Sequence, residues 1–194
     1  MPAFSFLPEA LRLKAMQAEE AHPLASIRLA RAEDATGIAQ IHVESWRDAY
    51  AGLLPDQHLA QLDAQRHSIA WTRSLSRPED RRHTLVALVE DEVVGFATFG
   101  PARDGRPNGE GEIYMLYVDT DWRELGIGRQ LVQAAFIALW ETGNKQASIW
   151  CLEDNHAATG FYKRLGGERI PAPREERVGS ATLNVIGFSW PLFG

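Results

Sequence analysis

Apolar and polar positions along the chain alternate with two periods, one of about two residues and one of about 3.6 residues. The first period predicts strands in residues 26–31, 83–89, 93–100, 112–118, 147–152 and 181–190. The second predicts helices in residues 32–50, 55–75, 126–141 and 155–166. The resulting order, β-α-α-β-β-β-α-β-α-β, predicts a mixed sheet flanked by helices, so the fold class is α/β (α+β).

Residues 1–25 precede this pattern and form a predicted N-terminal helical extension, which leaves 26–194 as the main domain. Pro23 ends the predicted helix. Its apolar side chains recur at helical spacing, and they are Leu7, Leu11, Ala15 and Ala18. We expect this apolar side to pack on the body or on a second subunit, which makes a homodimer possible.

The composition of the chain limits the kinds of partner that it is expected to bind and the compartment in which it is expected to work. The formal net charge is −6, which argues against a general nucleic-acid binder. Cys151 is the single cysteine, so an internal disulfide is excluded and a reducing compartment is expected. Apolar runs fall short of the roughly 20 residues that span a bilayer, and the N-terminus lacks the pattern of a secretory signal. These features predict a cytoplasmic protein without a membrane partner, and the scattered histidines give no metal site.

A glycine-containing turn separates the predicted strand 112–118 from the helix that follows it. The turn reads Arg-Glu-Leu-Gly-Ile-Gly from Arg123 to Gly128. Arg129 and Gln130 replace the Lys and Ser/Thr of a Walker loop, and Leu131 replaces the third glycine of the dinucleotide fingerprint. The glycines alone fit either a tight turn or an anion site at a helix N-terminus.

Three ordered motifs resemble the GNAT superfamily of N-acetyltransferases. The Arg123–Gly128 turn is similar to the family's Arg/Gln-x-x-Gly-x-Gly/Ala signature, and Leu116 and Val118 have the family's spacing in the strand before it. Residues 46–55 resemble a Trp-x-x-Ala-Tyr-x-Gly-Leu-Leu-Pro motif of a bacterial subfamily. A second signature of the family is matched downstream by Asn155, Ala158, Phe161, Tyr162, Leu165 and Gly166.

The resemblance covers the chain from about Ile27 to the last strand, and it implies a fold and a donor. The implied fold is the GNAT acyl-CoA N-acyltransferase fold, a mostly antiparallel sheet of about six to seven strands that is splayed between the fourth and fifth strands. The implied co-substrate is acetyl-CoA, with no metal. The residues implied to bind it are Leu116, Tyr117, Val118, Arg123, Glu124, Leu125, Gly126, Ile127, Gly128, Arg129, Asn155 and Tyr162.

The resemblance also implies catalytic roles. Tyr162 occupies the position of the family's general acid, and a phenol with a pKa of about 10 can protonate a departing thiolate. Deprotonating a lysine-like amine at neutral pH costs roughly 4–5 kcal/mol, so a base or a water relay is needed. Glu112 is the first candidate base. Strand alternation predicts that it shares a face with Tyr114, Leu116 and Val118. Glu44 and Glu110 are weaker candidates.

The implied function is transfer of acetyl from acetyl-CoA to a primary amine of a small or amino-acid-like molecule by direct attack. Acetylation of a peptide or protein remains open, and so does a non-catalytic module that only binds acyl-CoA. Direct attack needs no protein nucleophile, so Cys151 is interpreted as inert. Trp46 and Tyr50 lie four residues apart on one helix face, where they could line the acceptor pocket. The motifs leave the identity of the acceptor open.

Overall fold

A computed structural model describes residues 25–52, 56–77, 81–103, 109–178 and 181–192. The strands are β1 Ser26–Leu29, β2 His83–Val89, β3 Glu92–Pro101, β4 Glu110–Val118, β5 Gln146–Leu152, β6 Glu168–Arg169, β7 Arg174–Val178 and β8 Ala181–Pro191. The helices are α1 Ala35–Ala49, α2 Asp56–Ala60, α3 Ala64–Leu75, α4 Ile127–Glu141 and α5 His156–Arg164. Two short 3-10 helices, Ala32–Asp34 and Thr120–Trp122, precede α1 and α4.

The strands form one sheet in the order β1-β2-β3-β4-β5-β8-β6, and β7 pairs with β8 beside this path. β4 and β5 are parallel neighbours, while the other pairs are antiparallel. Pairing of β4 with β5 extends only from Glu110↔Gln146 to Ile113↔Ile149. Beyond these pairs β4 continues beside β3 and β5 continues beside β8, so the two strands diverge. This geometry confirms the predicted splay.

Helices cover both faces of the sheet and bury two apolar clusters. α4 contributes the fully buried Leu131 and Ala135 to a large cluster with Phe99 and Phe188 from the strands. On the opposite face, α1 and α3 pack on Phe96 and its neighbours in β2 and β3. The buried apolar residues of α1 and α4 therefore lie on the face of each helix that packs on the sheet.

The second predicted helix is in fact two helices, α2 and α3. The break lies before Asp63, whose side chain accepts a hydrogen bond from the Gln65 N–H at 2.8 Å and caps α3. The sheet also has eight strands rather than six to seven. The additional strands are β6 and β7, and their polar sequences carry no apolar alternation that would have predicted them. The predicted N-terminal helix falls almost entirely in residues 1–24, outside the described residues.

Within the described ranges, each helix is too short or too polar to cross a lipid bilayer. α1 and α4, the longest of them, have 15 residues each, against the roughly 20 that a span requires.

Candidate active site

A cleft of about 1020 Å³ opens where β4 and β5 separate. Its walls come from the C-terminal end of α1, the unpaired part of β4, the end of β5, the turn before α4, and α5. The cleft therefore brings together the three predicted motifs, which are far apart in the sequence. Ten of the predicted binding residues line it, and they are Leu116, Tyr117, Val118, Arg123, Glu124, Gly126, Gly128, Arg129, Asn155 and Tyr162.

The turn before α4 presents the N-terminus of that helix to the cleft. Gly126 is the N-cap residue, with a left-handed φ of +85°, and Glu124 also has a positive φ of +64°. The first N–H groups of α4 have no carbonyl one turn earlier to accept them, and the helix dipole adds partial positive charge there. Arg123 projects beside this turn. Its Nε donates to the Val118 carbonyl at 3.2 Å, and its guanidinium contacts Asp48 of α1 at 3.3 Å. The turn is thus suited to an anion.

The two glycines of the turn serve different purposes. A side chain at Gly126 would meet no atom within 4 Å, so the backbone conformation is what requires glycine there. A side chain at Gly128 would lie 3.3 Å from the ring of Phe161, which belongs to α5. Gly128 therefore allows α4 and α5 to approach closely beside the cleft.

The unpaired edge of β4 exposes backbone groups to the gap. Asp119 donates its N–H to the Val94 carbonyl on the β3 side at 2.9 Å, whereas the Val118 carbonyl accepts from Arg123 on the gap side. Backbone groups of successive residues point to opposite sides of a strand. The N–H of Leu116 therefore faces the gap, where a ligand can accept from it.

Two predicted binding residues do not place their side chains in the cleft. The Leu125 side chain is exposed, and the Ile127 side chain is buried in the core under α4. Neither residue is among the described residues that line the cleft.

Helix α5 positions the second signature at the cleft. Asn155 caps the helix, because its Oδ1 accepts a hydrogen bond from the Ala158 N–H at 2.9 Å. Tyr162 is buried, and its ring packs against Phe161 and Phe188 with centroid separations of 5.4 and 5.6 Å. Burial raises the pKa of the Tyr162 hydroxyl, with smaller contributions from Cys151 and Tyr117. The phenol is therefore held rigidly at the cleft and stays protonated at neutral pH.

Cys151 also lines the cleft, on β5. Burial raises the pKa of its thiol to about 11. A thiol in this state is almost entirely protonated near pH 7, and the thiolate is the reactive form. The environment of Cys151 therefore supports its interpretation as an inert residue.

Glu112 forms an ion pair instead of lining the cleft. Its carboxylate is almost completely buried and accepts three hydrogen bonds from Arg103: Nε at 2.9 Å, a terminal guanidinium nitrogen at 2.5 Å and the backbone N–H at 3.0 Å. Glu112 is not among the described residues that line the cleft. Its contacts give it a clear structural role, which is to hold the Arg103 guanidinium in place.

The expectation that Glu112 shares a face with Leu116 and Val118 is wrong. The register between β3 and β4 shifts at a bulge, since Thr98 pairs with Met115 and Phe99 pairs with Ile113. The extra residue, Tyr114, reverses the alternation of side chains. Ile113, Leu116 and Val118 consequently contact the same core cluster, and Glu112 points to the opposite face.

Aromatic side chains form the wall of the cleft near the end of α1. Tyr50 lines the cleft and packs on Trp46, with ring centroids 4.8 Å apart. Tyr117 stacks on His42 at 5.5 Å. Burial raises the pKa of both tyrosines and lowers the pKa of His42 to about 4. The wall is therefore neutral near pH 7.

Two charged residues near this wall, Arg174 and Glu176, were not predicted from the sequence. The Arg174 guanidinium of β7 lies 3.6 Å from the centroid of the Trp150 ring, which lines the cleft from β5. Glu176, two residues along β7, contributes to the raised pKa of Tyr50. No local pattern identifies these residues as site residues, because only the pairing of β7 with β8 brings them here.

Comparison with known proteins identifies the family of this chain. Residues 27–167 match the Acetyltransferase (GNAT) family, and the chain belongs to that family. It is an acetyltransferase. One relative is YuaI of Bacillus subtilis, an uncharacterized N-acetyltransferase. It is 31% identical over 172 residues, which cover 87% of this chain and 94% of the relative.

Two solved structures show the same fold. YncA of Salmonella typhimurium, solved with its cofactor acetyl-CoA, superposes with a TM-score of 0.67 at 20% identity, covering 88% of this chain and 95% of that one. The PaiA N-acetyltransferase of Thermoplasma acidophilum, in complex with coenzyme A, gives a TM-score of 0.61 at 17% identity, covering 86% and 99%.

Proposed function

We propose that this acetyltransferase moves the acetyl group of acetyl-CoA to the primary amine of a small or amino-acid-like molecule by direct attack. The main support for the proposal is that the β4–β5 gap and the N-terminus of α4 meet at one cleft. The buried Tyr162 lines the same cleft. The structures of YncA with acetyl-CoA and PaiA with coenzyme A support the choice of donor.

The residues at this junction fit the chemical groups of acetyl-CoA. Gly126 leaves open space at the helix N-terminus, where the N–H groups of α4 and Arg123 suit a pyrophosphate. The unpaired edges of β4 and β5 suit the amide-containing arm, since amides can hydrogen-bond to free strand edges. The Leu116 N–H faces the same gap and suits the thioester carbonyl oxygen.

Acetyl-CoA supplies an activated acetyl thioester, and the residues of this chain orient it and handle protons. The Leu116 N–H polarises the carbonyl. A C–N bond forms as the C–S bond breaks, and the amine gives up one proton while the departing sulfur gains one. We assign the donation of the proton to the sulfur to Tyr162, because its side chain lines the cleft.

The residue that takes the amine proton remains a prediction. Glu112 is the carboxylate that the sequence predicts, and a water could relay the proton to it. Its three hydrogen bonds from Arg103 favour a positioning role instead. A pH profile of the Glu112→Gln variant distinguishes the two roles.

Release of free thiol from acetyl-CoA in the presence of a panel of amines tests the proposal. We expect turnover with at least one small amine and saturable binding of acetyl-CoA. Turnover with peptides only would contradict the small-molecule acceptor. Tight binding of acetyl-CoA without turnover on any amine or peptide would indicate a regulatory binding module. The possible homodimer stays a prediction, and sedimentation with and without residues 1–25 tests it.

A further inference from the structure

We propose that the acceptor is an arylalkylamine, a primary amine joined to an uncharged aromatic ring, and that Tyr50, Tyr117 and Trp150 bind this ring on the α1 side of the β4–β5 gap. All three side chains line the cleft. The inference rests on the proposed acetyl transfer and deepens it by naming the class of acceptor.

Charged and uncharged residues occupy different parts of the cleft wall. The strand residues that line it, 114–118 of β4 and 149–152 of β5, include no acidic or basic side chain. The acidic and arginine side chains of the described wall come from the end of α1, the turn before α4, and α5 with the loop before it. They are Asp48, Arg123, Glu124, Arg129, Asp154 and Arg164. The part formed by the strands is therefore the part suited to an uncharged group.

Two aromatic rings flank the gap on one face of the sheet. Tyr117 packs on the apolar cluster under α1, whereas its neighbour Leu116 contacts the cluster under α4. Ile149 and Cys151 also contact the cluster under α4. Trp150 lies between them and points to the α1 face, because side chains alternate along a strand. Tyr117 of β4 and Trp150 of β5 therefore lie on the same face, on opposite sides of the gap.

Tyr50 adds a third ring at the C-terminal end of α1. Its ring packs on Trp46 with centroids 4.8 Å apart, which restricts its orientation. Tyr162 belongs to the cluster under α4, so it lies on the face of the sheet opposite to the three rings. An amine held by these rings would approach the thioester from the α1 face, while the departing sulfur meets the phenol on the other face.

Charges beside the rings disfavour an acceptor with a second charged group. The Arg174 guanidinium lies 3.6 Å from the centroid of the Trp150 ring, so a further cation there would be repelled. Burial raises the pKa of Tyr50 and of Tyr117, and the negative charge of Glu176 raises both further. An additional anion at these hydroxyls would be repelled in the same way. An uncharged ring avoids both repulsions and gains the contacts of aromatic pairs.

Two acceptors that differ by one ring test the inference. Phenethylamine and ethylamine share the amine and its two-carbon chain, and only the first has the aromatic ring. We expect kcat/KM for acetyl transfer to be higher for phenethylamine by about tenfold or more, the scale of burying one aromatic group. Putrescine, which carries a second cation, should be used no better than ethylamine. Equal use of phenethylamine and ethylamine, or a preference for putrescine, would overturn the inference.

Tyr50→Ala and Trp150→Leu each remove one ring, from α1 and from β5. In both variants the preference for phenethylamine should fall by about threefold or more, through a higher KM for this amine. Unchanged dissociation constants for acetyl-CoA show that each variant is folded.

Phe136→Ala is the matched control. Phe136 is a partly buried aromatic residue of α4 that packs on Trp190 at 5.2 Å, and it is not among the described residues that line the cleft. Its preference for phenethylamine should equal that of the wild type. The same preference in Tyr50→Ala as in Phe136→Ala would show that the rings do not form the site.

A binding measurement separates this inference from the proposed function. Titration calorimetry on protein saturated with coenzyme A compares the affinities for phenethylamine and ethylamine. If neither amine is acetylated but phenethylamine binds more tightly and loses this advantage in Tyr50→Ala, the ring site stands and the transfer function fails. If the two amines bind equally and are acetylated equally, the transfer function stands and the ring site is wrong.

Discussion

The Glu112 carboxylate is bound by Arg103 on both of its oxygens, and the backbone N–H of the same arginine supplies one of the contacts. The pair joins the end of β3 to the first half of β4. Glu112 is the predicted base, and neither residue of the pair is among the described residues that line the cleft.

Replacing Glu112 by glutamine distinguishes positioning from proton transfer. We expect the acidic limb of the kcat/KM profile to keep its midpoint, because the Glu112 carboxylate is bound to Arg103 and does not line the cleft. Loss of the buried charge-assisted bonds should lower the free energy of unfolding by about 1–3 kcal/mol. Steady-state kinetics across pH and urea unfolding measure the two effects. Disappearance of the acidic limb would instead identify Glu112 as the base.

Replacing Tyr162 by phenylalanine removes the proposed acid and leaves the packed ring. We expect kcat to fall by about 100-fold. The dissociation constant for acetyl-CoA should change little, since the ring contacts with Phe161 and Phe188 remain. Steady-state rates and direct binding provide the measurement. An unchanged kcat over the whole pH range would show that the sulfur receives its proton elsewhere.

Replacing Gly126 by alanine tests the conformation of the turn. The left-handed φ of +85° should cost about 1–2 kcal/mol of stability for a residue with a side chain, and acetyl-CoA should bind more weakly. Gly160→Ala is the control. Gly160 lies within α5, and its added methyl group would meet only the flexible end of Arg164. That variant should gain about 0.5–1 kcal/mol. Equal unfolding free energies for the two variants would contradict the role of the turn.

Replacing Asp48 by asparagine breaks the contact between α1 and Arg123. Both side chains are about half exposed, at 57% and 44%, so the stability should change by no more than about 0.5 kcal/mol. Removing a negative charge beside the proposed pyrophosphate site should tighten acetyl-CoA binding by about two- to fivefold. Calorimetry at low salt measures the affinity. Weaker binding would mean that Asp48 holds Arg123 in its productive position.

The rate at which Cys151 is alkylated reports on access to the cleft. Cys151 is the single cysteine of the chain, so the label has one site. Burial raises its pKa to about 11, so the reactive thiolate is scarce near pH 7 and increases as the pH rises. Labelling by iodoacetamide should accelerate about tenfold per pH unit between pH 7 and pH 10. Acetyl-CoA should slow it, because Cys151 lines the cleft. Mass spectrometry follows the reaction, and rapid labelling at pH 7 would contradict the buried, protonated thiol.

The parts of the site that local sequence encodes were predictable. The turn from Arg123 to Gly128 and the helix that holds Asn155 and Tyr162 depend on capping, glycine conformations and apolar spacing within short segments. These features are confirmed by the observed helix bounds and caps. The splay of the sheet followed from the resemblance that these motifs carry.

Features that depend on contacts between distant segments were not predictable. The bulge at Tyr114 arises from the register of β4 against β3, and it reversed the expected face of Glu112. Arg174 approaches Trp150 only because β7 pairs with β8 and β8 pairs with β5. Such pairings are set by tertiary packing, which a single sequence read locally does not reveal.

The limited contact between β4 and β5 has a mechanical consequence. Among the described strands, β1 to β4 form one half of the sheet and β5 to β8 the other, and four residue pairs join them. A donor bound along the remaining length of the gap would link the two halves of the sheet, because it would form hydrogen bonds with the facing edges of both β4 and β5. The donor would then be a structural component of the sheet for as long as it is bound, and its departure would loosen the acceptor side.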